Sequence, residues 1–174
     1  LLQRSESITH SVAVHERCGT EVEIIPSRQW YIDILGEKER FRKAADDINW
    51  YPEYMKGRYI TWVENLKWDW CVSRQRGFGI PFPVWYCRSC GAAILADESR
   101  LPVNPLNTQY GGVCSCGGRE FIPESAVFDT WATSSISPQI NERFGTPLVP
   151  MGLRTQAHEI IRTWTFYTIV RSLY

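Results

Sequence analysis

The chain lacks any apolar run approaching the roughly 18 residues of a membrane span, and it lacks a basic-then-apolar leader. Net charge is also missing: 19 Lys and Arg balance 19 Asp and Glu, so the whole chain offers no field that steers nucleic acid. No Walker-type glycine loop or other phosphate cradle is present. Within these 174 residues the absences leave no membrane-spanning helix, no bulk-basic surface for nucleic acid and no P-loop. A reducing, cytoplasmic setting fits cysteines that come without a secretory signal. The chain starts at Leu1, not at methionine, and stops at Tyr174 inside an expected helix. Both ends therefore read as cuts in a longer polypeptide.

What is present is four cysteines spaced C-x2-C, 23 residues, C-x-C: Cys87, Cys90, Cys114 and Cys116. Two close pairs can wrap one tetrahedral zinc ion, and Gly91, Gly117 and Gly118 permit the turns that aim sulfurs and backbone N–H groups at it. Two disulfides or four unrelated thiols are the alternative, disfavoured by the poor geometry of bridging C-x-C. Four thiolates leave no open coordination position, so the zinc expected here is structural. His15 and Cys18 have the spacing of half a metal site with no second half nearby, and read equally as a loop histidine and an ordinary cysteine.

Five of eight tryptophans lie between Trp50 and Trp85, a density that means an extensive core or pockets with rigid flat walls. Between Lys56 and Cys90 six basic residues stand against Glu64 and Asp69. That local excess faces phosphate or forms a solvated rim.

Segments 8–14 and 22–25 predict short strands around a turn at Cys18-Gly19-Thr20, and a strand runs to Ile34. Apolar periodicity predicts helices over 37–48, with Phe41, Ala44, Ala45 and Ile48 inward, and over 53–66, with Tyr59, Trp62, Val63 and Leu66 inward. Pro81 and Pro83 make 79–86 extended. A strand over 126–128 ends at Asp129-Thr130-Trp131, with Ser134 and Ser135 just beyond, where polar tips of a parallel sheet meet ligands. Residues 141–144 suit a helical turn, and 157–173 a helix apolar on more than one face, sandwiched between layers. Strands alternating with helices, plus a cysteine module, give an α/β fold carrying an inserted small zinc-binding knuckle.

Trp70-Cys71-Val72-Ser73-Arg74-Gln75-Arg76, then Gly79-Ile80-Pro81 and Val84-Trp85, resembles a W-C-I-S-R-Q-R-x-W-G-x-P-x-P-V-W signature. Asp129-Thr130-Trp131 with Ser134-Ser135 is similar to D-T-W-x-S-S, and Arg154-x-Gln156-Ala157-His158-Glu159-Ile160-Ile161-Arg162-Thr163-Trp164 to R-x-Q-G-H-D-I-I-R-T-W. His10-Ser11 through Arg17-Cys18, and Gln29-Trp30, match a passage out of an editing insertion. In this order the elements resemble class I aminoacyl-tRNA synthetases of the isoleucine, leucine and valine group, with the valyl branch of archaeal-like type nearest. Gly77-Phe78, Ala157 and Glu159 depart from the pattern, where aromatic residues, glycine and aspartate are usual. The isoleucyl branch, and a free-standing zinc-ribbon module that binds RNA, are the competing readings.

The resemblance implies part of a Rossmann-like catalytic domain: 1–35 leaving the editing insertion, 36–86 helical and extended, 87–122 the zinc knuckle, 123–174 returning to the catalytic core. It implies activation of valine by ATP with magnesium and transfer to tRNA(Val) by a monomer. Trp131 and Trp164 would wall the amino-acid pocket, or else be core tryptophans. Glu159 would take the ribose hydroxyls, with His158 and Gln156 near the nucleotide. A solvated carboxylate and a structural histidine are the plainer alternatives. Arg74 and Arg76 would meet tRNA phosphates, or pair internally with Asp69 or Glu64. The H-I-G-H and K-M-S-K-S elements that bind ATP phosphates are absent from the 174 residues, so no catalytic residue beyond substrate positioning is expected here.

Overall fold

Helices form where apolar residues recur at three- to four-residue spacing, and strands are limited to segments of two to four residues. A computed structural model describes residues 3–146 and 150–174. In chain order these contain β1 (Tyr31–Ile32), α1 (Lys38–Ala44), α2 (Met55–Asn65), β2 (Trp70–Cys71), β3 (Ser73–Arg74) and β4 (Val84–Cys87). β5 (Ala93–Leu95), β6 (Phe121–Pro123), β7 (Val127–Phe128), α3 (Thr130–Ser134), α4 (Ser137–Ile140) and α5 (Trp164–Leu173) follow. Short 3-10 turns occupy Glu98–Arg100, Asn141–Phe144 and His158–Arg162.

The core lies between α1, α2 and α5. Phe41, Tyr59, Val63, Phe166 and Val170 are fully buried there, with Phe41 edge-on to Phe166 at 5.9 Å. Side chains satisfy the carbonyls that helix ends leave unpaired. Trp50 Nε1 donates to Ala45 O at 2.9 Å beyond α1, and Lys38 Nζ donates to Leu66 O at 2.7 Å beyond α2. Tyr59 is held in the core by its hydroxyl, which donates to Phe41 O at 3.1 Å.

Strand pairing departs from the expected parallel order. β1 pairs antiparallel with β2, β3 antiparallel with β7, and β4 is central in an antiparallel sheet ordered β5-β4-β6. Among the described residues no parallel pair forms, so Asp129 follows an antiparallel strand rather than the tip of a parallel sheet. Parallel pairing needs a crossover between each pair of strands, whereas β1–β2 and β3–β7 join segments distant in the chain as short antiparallel ladders. Helices and strands are mixed as expected, and the sheet bearing the cysteines begins at Val84.

Two further expectations change. Segments 8–14 and 22–25 are not strands; Val14 forms a single antiparallel bridge with Glu21, just ahead of the second segment, and the turn between them is present. Ile24 is wholly exposed and Ile25 largely so, which shows why: no apolar layer lies beneath them. The last helix is broken at Thr163 (φ −115°, ψ −87°), leaving a 3-10 turn at His158–Arg162 and α5 beyond it. The ψ of −87° at Thr163 lies outside the α region, so the geometry of 158–162 does not run on into α5. α5 is sandwiched as expected, packing on α1 at one side and on α3 and α4 at another. Among the described residues no helix is long and apolar enough to cross a membrane.

Candidate functional site

The cysteine cluster is built by two matching turns. β4 delivers Cys87, and Gly91 N donates back to Cys87 O at 2.8 Å; Gly117 N does the same to Cys114 O at 2.8 Å. Gly91 (φ +73°) and Gly117 (φ +85°) occupy the left-handed region that these turns require. The four sulfurs lie within 4.8 Å of one another, with Cys87–Cys116 and Cys90–Cys114 each at 3.6 Å. Disulfide sulfurs stand about 2.05 Å apart, so the bridged alternative fails. A tetrahedron with metal–sulfur bonds of about 2.3 Å spaces its sulfurs by about 3.8 Å, close to the spacing seen. The donor set thus fits a metal ion.

Backbone N–H groups lower two of the four thiols, while Cys90, despite the Ala92 N–H, is pushed up to about 12 by the neighbouring Cys116 and Cys114 sulfurs. The N–H of Cys90, joined by that of Ser89, pulls the Cys87 thiol down to about 6, and the N–H of Cys116 lowers Cys114. Lowered thiols supply the thiolates that a metal binds. A Cβ on Gly118 would stand 2.7 Å from Cys87 Sγ and 3.0 Å from Ser89 Oγ. His15 and Cys18 also meet, with Cys18 Sγ 3.2 Å from His15 Nδ1, but among the described residues nothing completes a third ligand.

The other candidate residues gather around α3, the 158–162 turn and α5. Trp131 stands on α3 and is 37% exposed, so it is not a core tryptophan in this structure. Trp164 opens α5 and is half-buried; its Nε1 donates to Ser134 O at 3.3 Å, tying the two helices together. The Arg154 guanidinium lies over the Trp164 ring at 3.8 Å, and burial lowers its pKa. His158 Nε2 and Glu159 Oε1 are 3.4 Å apart and exposed on the 3-10 turn, while Gln156 Nε2 donates to Thr165 Oγ1. A helix N-terminus is not formed at 156–160, because the α-helix starts only at Trp164.

Arg74 and Arg76 differ. Arg74 Nη1 donates to Ser73 O at 2.7 Å and to Cys71 O at 2.9 Å, and its Nη2 lies 3.4 Å from buried Asp129 Oδ1. The expected partner Asp69 is engaged elsewhere: its Oδ1 accepts from Ile34 N at 2.9 Å and Leu35 N at 3.0 Å. Arg76 is exposed, with no ion pair among the described residues. Sequence reading missed Asp129 as the anchor of Arg74, and Arg154 as the cover of Trp164. Asp129 is remote from Arg74 along the chain, and the ten-residue step from Arg154 to Trp164 has no helical or strand period that announces the contact.

It also missed Glu124 as a hub. Its Oε2 accepts from Tyr86 OH at 2.6 Å and Trp30 Nε1 at 2.9 Å, and its Oε1 from Ala126 N at 2.8 Å. Burial pushes this carboxyl up, but the Tyr86, Ala126 and Trp30 donors outweigh it and hold the pKa low. The hub binds the segment before β1 to the cysteine-bearing sheet.

The family model for tRNA synthetases class I (I, L, M and V) matches residues 6–172. The chain is 53% identical over 173 residues to the valine–tRNA ligase of Picrophilus torridus, covering 98% of this chain and 22% of that protein. It is 45% identical over 179 residues to that of Methanocaldococcus jannaschii, covering 99% of this chain and 20% of the relative. The ligase of a Wolbachia of Brugia malayi is 45% identical over 188 residues, covering 100% and 22%. The chain spans about a fifth of the length of the curated relatives it matches.

Proposed function

The chain belongs to the class I tRNA synthetases (I, L, M and V), and from that premise we propose that it is a segment of a valine–tRNA ligase. The full protein would convert valine and ATP to valyl-adenylate and pyrophosphate, then pass the valyl group to tRNA(Val) with release of AMP. The observation that carries the choice of amino acid is the 45–53% identity to proteins named valine–tRNA ligase along nearly all of this chain. In this reading the described elements are part of a Rossmann-like catalytic domain. Segment 1–35 leaves the editing insertion, 36–86 and 123–174 belong to the catalytic core, and 87–122 is the knuckle.

Trp131 and Trp164 would wall the pocket for the isopropyl side chain. An isopropyl group is nearly rigid, so flat indoles match its shape at little entropic cost. The exposure of Trp131 and the Trp164–Ser134 link support this, since they leave one indole accessible on α3 and hold the other to the same helix, with Arg154 over its ring. Glu159 would accept from ribose hydroxyls, with His158 and Gln156 toward the nucleotide. The exposed carboxylate is compatible with that role.

Arg76 is the better of the two arginines for RNA phosphate, and Arg74 sets the strand that presents it. Zinc is the metal proposed for Cys87, Cys90, Cys114 and Cys116. Four thiolates close its coordination, so it would supply folding energy to the knuckle and no open position to a substrate.

Valine-dependent exchange of pyrophosphate into ATP by the full-length protein tests the assignment. Exchange driven by isoleucine, and not by valine, would overturn it.

A further inference from the structure

The half-buried guanidinium of Arg154 lies on one face of the Trp164 ring, 3.8 Å from its centre. Its Nη2 donates to Ser137 Oγ at 3.0 Å, and its Nη1 approaches Met151 Sδ at 3.9 Å. None of these partners is a carboxylate, and its Nε is shut from solvent with no acceptor among the described residues. A cation drawn out of water ordinarily has an acid beside it, and an apolar side chain of similar volume fills such a place at less cost. What a guanidinium adds is a flat plate that stacks on an indole while its edge still donates a hydrogen bond.

That hydrogen bond leads to the segment that carries the other tryptophan. Ser137 opens α4, and Ser134, at the end of α3, accepts the Trp164 Nε1 hydrogen bond at its carbonyl oxygen. Ser134 Oγ in turn donates to Trp131 O at 3.2 Å. Trp164 is therefore fixed to the α3–α4 segment twice, once by its own N–H and once through Arg154. A single hydrogen bond leaves a ring free to pivot about it, whereas a second contact on the ring face fixes the tilt.

We propose that Arg154 is a positioning residue that sets the tilt of Trp164 against Trp131, and with it the largest side chain the pocket accepts. Arg154 acts through Trp164 and touches no reacting atom. The inference rests on the reading of Trp131 and Trp164 as pocket walls, and it names the residue that keeps those walls from yielding to one extra methylene. In a pocket of firm shape a methylene is worth roughly 10–200-fold in discrimination, and a wall free to tilt forfeits part of it.

The test measures pyrophosphate exchange by the full-length protein with valine, isoleucine and threonine. Arg154→Leu keeps apolar bulk over the ring and removes the plate and its hydrogen bond. The isoleucine-to-valine ratio of kcat/KM should rise about fivefold, within the span one methylene commands. The threonine-to-valine ratio should stay unchanged, since threonine has the size of valine. General damage to the fold would lower all three substrates alike and move neither ratio. Arg154→Lys should behave like the leucine variant, because an ammonium cannot lie flat on the indole and reach Ser137 together. Ser137→Ala, a milder change, should move the same ratio about twofold through the lost hydrogen bond. Combined with Arg154→Leu it should add little, as for two residues acting as one unit.

Hydroxyl-radical footprinting mapped by mass spectrometry reads the contact without substrate: Trp164 should oxidise severalfold faster in Arg154→Ala than in wild type. An unchanged rate overturns the proposal, as does a wild-type isoleucine-to-valine ratio in Arg154→Lys or Ser137→Ala. Valine should protect Trp131 and Trp164 in the wild-type footprint. Loss of that protection removes the pocket reading and this proposal together. Protection with unchanged ratios in the folded variants removes the role of Arg154 alone.

Discussion

Asp69 holds the chain ahead of α1 through two backbone N–H groups, and the Leu35 and Ile34 donors lower its carboxyl pKa. A carboxyl depressed in the folded state stabilises above its unfolded value of about 3.9 and loses that contribution as pH falls through the folded value. Asp69→Ala should therefore lower Tm near neutrality, with the gap to wild type closing below about pH 4. Thermal melts at neutral and acidic pH read this directly. The two arginines should separate in the same assay. Arg74→Ala strands a buried Asp129 and should cost about 1–3 kcal/mol of stability. Arg76→Ala should leave Tm unchanged and weaken salt-sensitive binding of acceptor-stem RNA. In the full-length enzyme, Trp131→Ala should raise the valine KM or lower kcat/KM by an amount equivalent to about 2–4 kcal/mol, with little loss of Tm. Glu159→Gln should instead impair the use of ATP by roughly 1–3 kcal/mol. Adenylate kinetics with valine and ATP varied separately distinguish the two, and unchanged ATP use would remove Glu159 from the ribose site.

At the scale of elements, the knuckle depends on the absence of a side chain at one position. Gly118→Ala drives a methyl to 2.7 Å from Cys87 Sγ, so either the sulfur or the turn must shift. The variant should bind metal more weakly and lose order across β4, β5 and β6, measured as metal release to a chelator and hydrogen exchange. Gly91 needs its positive φ as well, yet a Cβ there meets nothing within 4 Å. Gly91→Ala should therefore be the milder change. The three-helix core fails differently. Phe41→Ala removes a fully buried ring from between α1 and α5 and should cost about 3–5 kcal/mol.

For the whole molecule, the cysteine geometry predicts about one zinc per chain by elemental analysis, lost to strong chelation together with order in residues 87–118. A value near zero in protein purified without chelator would contradict the metal assignment. A second equivalent would implicate His15 and Cys18, which already meet at 3.2 Å. The 174 residues alone should show no valine-dependent pyrophosphate exchange, because the two ATP-phosphate elements are not among them. Exchange above background in a preparation free of host synthetase would relocate catalysis into this segment.

The cysteine cluster, the two amphipathic helices and the extended proline stretch were legible in the sequence because each depends on neighbours close in the chain. Ligand spacing, helical period and proline's fixed φ are local quantities. Family membership was legible too, since several motifs recur in one order. Strand direction was not, because pairing depends on which distant segments meet: Ser73 with Phe128, and Tyr31 with Cys71. Nor was the break at Thr163, where apolar pattern alone promised continuous helix. The partner of Arg74 lies 55 positions away (129 − 74), and only tertiary packing brings a buried Asp129 to it. Charge pairing, exposure of Trp131 and the place of Arg154 over Trp164 all follow from how α3, α4 and α5 pack, because burial and electrostatics are set by neighbours in space.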